Sequence, residues 1–96
     1  MNNPRLSGNI ALAHVMAALV ARGKQILLPF DQGSRYDLAI EENGEFIRVQ
    51  VKSGWLDHNG RTVRFAAYSK NKGYNKKGYK GEIDCFLVYC HQLGKV

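Results

Sequence analysis

Apolar and polar residues alternate on both sides of one Asn-Gly pair. From Tyr36 to Glu42 and from Glu45 to Lys52, apolar side chains recur at every second position around Asn43-Gly44, the strongest short-range signal for a β-hairpin. A two-residue loop fixes the register. Counting outward, Glu42 opposes Glu45, Ile40 opposes Ile47, Leu38 opposes Val49 and Tyr36 opposes Val51, which makes one mostly apolar face. The other face pairs Ala39 with Arg48 and Asp37 with Gln50, with Lys52 two residues further along. Opposed residues hold their Cβ atoms roughly 4.5–5.5 Å apart and diagonal ones roughly 7–8 Å. A carboxylate, an amide oxygen and an ammonium therefore converge on one small volume, a composition suited to a metal ion and a phosphate.

Upstream the period changes. Ile10, Leu12, Val15, Met16, Leu19 and Val20 follow helical spacing, with Ser7 as the expected N-terminal cap and Arg22-Gly23 as the stop. Ala13, Ala17 and Ala21 add a second apolar stripe, so this helix is expected to be covered on two faces, by the sheet and by either a second subunit or a thick core. Gln25 to Phe30 reads as a first strand ending at Pro29, Thr62 to Ala67 as a fourth after an Asn59-Gly60 turn, and Ile83 to Cys90 as a final buried strand. The order is helix, three strands, a strand, a loop and a strand. One α/β domain over residues 1–96 accounts for it, with no pattern after Leu93 for a last helix to cover the sheet.

Charge narrows the partner. Fourteen Lys and Arg stand against eight Asp and Glu, a net charge of +6, and a pI near 9.6 suits a polyanion, nucleic acid first. Between Lys70 and Lys80 there is no acid, and Lys70, Lys72, Lys76, Lys77 and Lys80 alternate with Gly73, Tyr74, Gly78 and Tyr79, the composition of a basic loop. Cys85 and Cys90 are five apart, on opposite faces of a strand, which fits neither a disulfide framework nor a zinc pattern. Two buried thiols in a reducing, cytoplasmic setting are expected. The apolar run Ile10 to Ala21 is too short to cross a bilayer, which takes ~20 residues. His14, His58 and His91 have no ligand spacing, Asp31 after Pro29-Phe30 is a candidate acid that no hairpin places opposite Gln50, Asp57 lies in a turn and reads the same way, and Trp55 suits a core or an interface.

The string Arg35-Tyr36-Asp37-Leu38, followed after the turn by Arg48-Val49-Gln50-Val51-Lys52-Ser53, resembles the PD-(D/E)XK nuclease superfamily. Ser7-Gly8-Asn9 in the helix, Tyr79 and Glu82-Ile83-Asp84 extend the likeness over most of the chain. Within the superfamily it looks most like endonucleases encoded in bacterial group I introns, with archaeal Holliday junction resolvases as cousins. The resemblance implies a restriction-endonuclease-like core that hydrolyses phosphodiesters of double-stranded DNA with Mg²⁺ or Mn²⁺, while the two-sided apolar helix and the small size predict a homo-oligomer, dimer or tetramer. It implies Asp37, Gln50 and Lys52 as catalytic residues and Asp37, Gln50 and the Val51 carbonyl as metal ligands; Arg35 and, in the basic loop, Lys70, Lys72, Tyr74, Lys76, Lys77 and Lys80 are the expected DNA contacts. Those oxygens suit a hard cation, the ion would activate a water, and Lys52 would orient that water or the phosphate. One position departs from the family. Leu12 stands where relatives usually carry a helix Glu, leaving Asp37 as the one carboxylate. Rival readings are a DNA-binding module without cleavage, a junction resolvase, and a protein-interaction domain.

If the lysine-rich stretch touches phosphates, replacing Lys76 and Lys77 with Ala should lower the magnitude of the log K versus log salt slope by up to about 0.9 for each phosphate no longer neutralised, equally for all duplex sequences. Titration by fluorescence anisotropy at several salt concentrations measures it, and an unaltered slope would mean that these lysines are only solvated.

Overall fold

The computed structural model describes residues 3–31, 33–65 and 81–96. The lysine-rich stretch, including Lys70, Lys72, Tyr74, Lys76, Lys77 and Lys80, lies outside them, as does the far end of the strand expected over Thr62–Ala67. One helix and five strands are described: α1 (Pro4–Ala21), β1 (Gln25–Leu27), β2 (Leu38–Glu42), β3 (Glu45–Leu56), β4 (Val63–Arg64) and β5 (Cys85–Cys90).

The helix starts one turn earlier than the sequence pattern suggests. Asn3, not Ser7, is the cap, its side-chain oxygen accepting from the amides of Arg5 at 3.0 Å and Leu6 at 3.2 Å. Pro4 follows in the first turn, where its missing N–H costs nothing and its fixed φ suits the helix. The stop falls where expected. Gly23 takes φ 77°, and the amides of Gly23 and Lys24 return to the carbonyls of Val20 and Leu19 at 2.9 and 3.0 Å, which satisfies two carbonyls the helix end leaves unpaired.

The hairpin holds the predicted register, with Leu38 opposite Val49, Ala39 opposite Arg48, Ile40 opposite Ile47 and Glu42 opposite Glu45. Asn43 and Gly44 both take positive φ, 55° and 83°, the conformation of a tight reversal that follows the strand twist. β1 is antiparallel to β2, with Leu27 opposite Ala39, and it ends before Pro29, which cannot donate to a ladder. β3 runs past Lys52 to Leu56, so β5 lies parallel beside it from Val49 and Cys85 to Gly54 and Cys90, and β4 pairs with its last two residues. The sheet is therefore mixed.

α1 covers one face of that sheet. Ala11, Val15 and Leu19 form a buried cluster with Leu38, Ile40, Val49, Val51 and Tyr89, and Val15, Leu38 and Val49 are fully enclosed. Each such side chain contributes about 1.5–3 kcal/mol relative to exposure. The sheet covers one face of the helix only, and Ala13, Ala17 and Ala21 of the second stripe are exposed in the single chain. Cys85 and Cys90 are free thiols, and Cys90 is buried. No helix among the described residues is long and apolar enough to cross a membrane.

Gly54 sets the closest approach on the opposite face. A Cβ there would lie 2.5 Å from Val88 Cγ1 and 2.9 Å from Val63 Cγ1, so the strand carries a glycine because two neighbours occupy the space. Gly54→Ala is expected to lower stability by about 1–3 kcal/mol, measured by urea denaturation with an unchanged m-value.

Candidate active site

The ladder between β2 and β3 breaks at Asp37, and the break builds the site. In the register of the hairpin, the Val51 amide would pair with Tyr36. Instead the Asp37 backbone amide donates to the Val49 carbonyl at 2.8 Å, and the Asp37 carboxylate accepts from the Val51 amide through Oδ2 at 2.8 Å. A side-chain oxygen thus takes the place of a backbone acceptor, so the carboxylate is positioned by the sheet itself rather than by rotamer preference alone. The β2–β3 pairing ends at Leu38 opposite Val49, so the expected pairs of Asp37 with Gln50 and Tyr36 with Val51 are not part of the ladder.

Opposing effects act on this carboxylate. Burial raises the Asp37 pKa above the ordinary carboxylate range and is the largest cause, while the Val51 amide and the Lys52 ammonium lower it. Lys52 thus acts on Asp37 electrostatically, favouring its charged form. Gln50 completes the group. Its side-chain oxygen Oε1 is buried and, among the described residues, has no hydrogen-bond partner, an arrangement that is costly for an amide unless a further group satisfies it.

Asp37 opens into a cleft of about 310 Å³ lined also by Leu12, Leu28, Pro29, Asp31, Ser34 and Tyr36. Leu12, beside the buried stripe of α1, partly packs against the core and forms the cleft wall where a helix carboxylate is expected. Asp31, which no hairpin in the sequence places opposite Gln50, also reaches this cleft. Extending the β1–β2 register beyond Leu27 and Ala39 brings Pro29 level with Asp37, and so carries the Asp31 turn to the cleft. The signal for it is the apolar run before the hairpin, once its antiparallel pairing with β2 is counted as well. Asp31 Oδ1 accepts from the Gly33 amide at 2.9 Å.

The charged residues around the hairpin are largely paired. Arg48 grips Asp84 through Nε and Nη2, both at 3.2 Å, and reaches the Gly81 carbonyl at 3.1 Å. The Arg48 guanidinium, and then its backbone amide, hold the Asp84 carboxyl below the ordinary range. Arg35, expected at DNA, lies 3.7 Å from Glu82. Asp57, expected in a turn, pairs with Arg64 at 3.0 Å and His58 at 2.6 Å, closing the β3–β4 connection. Beyond Lys52, Ser7 and Ser53 meet His91 Nε2 at 3.2 and 3.0 Å, tying the first turns of α1 to the ends of β3 and β5. The sequence points to neither serine for this contact, because their spacing shows nothing until the helix lies across the sheet.

Asp37, Gln50 and Val51 offer the hard oxygen donors of a Mg²⁺ site, and the orphaned Gln50 oxygen fits one. Among the described residues, no group of three or more His, Cys, Asp and Glu is placed to hold a metal ion. A carboxylate, an amide and main-chain oxygens make a site of low charge.

Comparison with known proteins bears on the family and the fold. A sequence model of the family described as PD-(D/E)XK endonuclease matches residues 2–96. The fold is similar to the structure of a bacterial homing endonuclease, I-Ssp6803I, with a TM-score of 0.73 and 23% identity, over 98% of this chain and 62% of that one. The chain thus spans less than two thirds of that structure's length. No curated protein matches the chain.

A carboxyl whose pKa is raised by folding is destabilised when charged. The folded state then takes up the proton first, so stability gained through Asp37 grows as pH falls through its raised pKa and is lost as pH rises. Asp37→Asn, whose amide oxygen can still accept from Val51, is therefore expected to melt higher than the parent at pH 7 without metal, the gap closing under acid conditions. Mg²⁺ should raise the melting temperature of the parent and leave that of the variant unchanged. Scanning calorimetry at several pH values, with and without Mg²⁺, reads both effects.

Proposed function

The chain belongs to the PD-(D/E)XK endonuclease family, and on that premise we propose that it is a double-stranded-DNA-binding domain whose phosphodiester-cleaving chemistry is strongly attenuated. Leu12 carries this reading. An isobutyl group lines the cleft with Asp37 where the family's helix carboxylate would supply a second anionic oxygen, and Mg²⁺ sites are usually built on one or two carboxylates plus substrate phosphate. Net charge of +6 and the likeness to a homing endonuclease support duplex DNA as the partner.

A second reading, a competent Mg²⁺-dependent endonuclease, is favoured by the unpartnered Gln50 oxygen. In it Asp37, Gln50 and the Val51 carbonyl hold Mg²⁺ or Mn²⁺, which when bound lowers the pKa of a water and offsets the negative charge that develops at phosphorus. The chain's own residues do the rest. The Val51 amide fixes the carboxylate, and the Lys52 ammonium orients the nucleophilic water or the scissile phosphate. A homodimer would bring one such site to each strand.

Supercoiled plasmid and a four-way junction, each incubated with Mg²⁺ or Mn²⁺, separate the readings. Attenuation predicts tight binding with nicking close to background. Rapid linearisation establishes the second reading, and preference for the junction points to a resolvase. Lys52→Ala is expected to remove whatever cleavage remains and to leave DNA affinity nearly intact, because one phosphate contact among many contributes little.

Leu12→Glu tests the cause directly. A second carboxylate at the cleft should raise Mg²⁺ affinity and nicking rate on the order of tenfold or more, and the variant should melt higher with Mg²⁺ than without. Unfolding that metal does not relieve would assign Leu12 to the core instead.

A further inference from the structure

Phe30 is the most exposed large apolar residue described, at 104% of its reference area, and Leu28 two positions before it is 59% exposed. A fully solvated phenyl ring contributes nothing to the fold. The backbone that carries it is nonetheless held. Pro29 fixes its own φ and confines Leu28 to extended conformations, and Asp31 closes a turn, accepting from the Gly33 amide at 2.9 Å through its side chain and from the Ser34 amide at 3.3 Å through its carbonyl. Phe30 is thus presented outward from a backbone that Pro29 restrains, which reduces the conformational entropy lost on contact.

The tip stands at the candidate active site. Both chain neighbours of Phe30, Pro29 and Asp31, line the cleft that holds Asp37. On its other side, Leu28, Pro29 and Phe30 border a groove of about 420 Å³ with Phe46 and Arg48. Adjacent Cα atoms are about 3.8 Å apart, so the root of the ring lies one residue from the cleft wall in either direction. A duplex whose phosphate enters the cleft would present its base steps to this ring.

We propose that Leu28-Pro29-Phe30 is a wedge that inserts Phe30 between base pairs of duplex DNA, within about one or two steps of the phosphate facing Asp37. This rests on the reading that the chain binds double-stranded DNA. Phe, Leu and Pro are among the side chains that wedge base steps apart, unstacking them, unwinding the helix and kinking it. The surface favours this occupant over a second copy of the chain. A protein interface gathers its apolar anchors at the centre of a patch, whereas Phe30 is a single ring on a tip between two concavities, on a chain of net charge +6. Insertion favours easily unstacked pyrimidine–purine steps, which would confer sequence preference without any hydrogen bond to a base.

The test needs neither the target sequence nor cleavage. Relaxed closed-circular plasmid is treated with a metal-independent topoisomerase in the presence of the protein and EDTA, and linking number is read on a gel, while fluorescence anisotropy under the same conditions measures binding. The parent is expected to lower linking number in proportion to protein bound. Phe30→Ala should lose that shift with less than about a tenfold loss of affinity, as one contact among many, and Phe30→Trp should retain it. Because Phe30 is fully exposed, Phe30→Ala should fold and melt like the parent. Binding by the parent without a change in linking number, or unwinding by Phe30→Ala equal to the parent's, would overturn the wedge alone. Failure of the parent to bind any duplex would overturn the DNA-binding reading and the wedge together. A dimer that Phe30→Ala converts to monomer in light scattering would overturn the wedge by assigning the tip to a second copy of the chain.

Discussion

The hydrogen bond from the Val51 amide to the Asp37 carboxylate joins the fold to the chemistry. It occurs where the β2–β3 ladder would continue, so the hairpin and the acidic group are set by the same register. Shift one strand by a single residue and Asp37 would face the core while Val51 would lose its acceptor. Lys52 acts on the same carboxylate electrostatically, and burial makes its charge expensive. A carboxylate in that position is held in place and kept under electrostatic tension at once, which is the condition in which a cation gains most by arriving.

Which features can be read from the chain alone depends on how local their cause is. The hairpin register follows from Asn43-Gly44 and alternation, both contained within seventeen residues, and the structure reproduces it from Glu42 and Glu45 out to Leu38 and Val49, while the expected pairs beyond, Asp37 with Gln50 and Tyr36 with Val51, give way to the break at Asp37. The helix end at Gly23 is equally local. The helix start differs because Ser7 is a good cap by residue type, yet Asn3 with Pro4 immediately after it is the stronger pointer. Asp31 escapes a reading based on the Asn-Gly hairpin alone, since a second antiparallel pairing, β1 with β2, delivers it. The Ser7–Ser53–His91 contact and the Arg48–Asp84 grip depend on where distant segments dock, and no periodicity reports that.

Leu12 and Phe30 depart from ordinary expectation in opposite ways. One is an apolar side chain on the wall of the cleft that holds Asp37, the other an apolar side chain in water where globular proteins rarely place a phenylalanine. Leu12 lines the 310 Å³ cleft, and so do Pro29 and Asp31, the two chain neighbours of Phe30. Loss of charge at the ion and gain of apolar surface at the mouth together fit the proposed site, one tuned toward holding a duplex rather than severing it.

The contact of Ser7 with His91 spans 84 positions, and β3 lies parallel to β5 although more than thirty residues separate their first paired members, Val49 and Cys85. The hairpin, by contrast, closes over two. Loop-closure entropy orders such events: the local reversal forms early, and the long-range parallel pairing comes last and limits the rate. Asp37 and the Val51 amide that anchors it are therefore assembled while α1 and β5 are still docking, and the low-dielectric surroundings that make this carboxyl a weaker acid are the final feature of the site to mature.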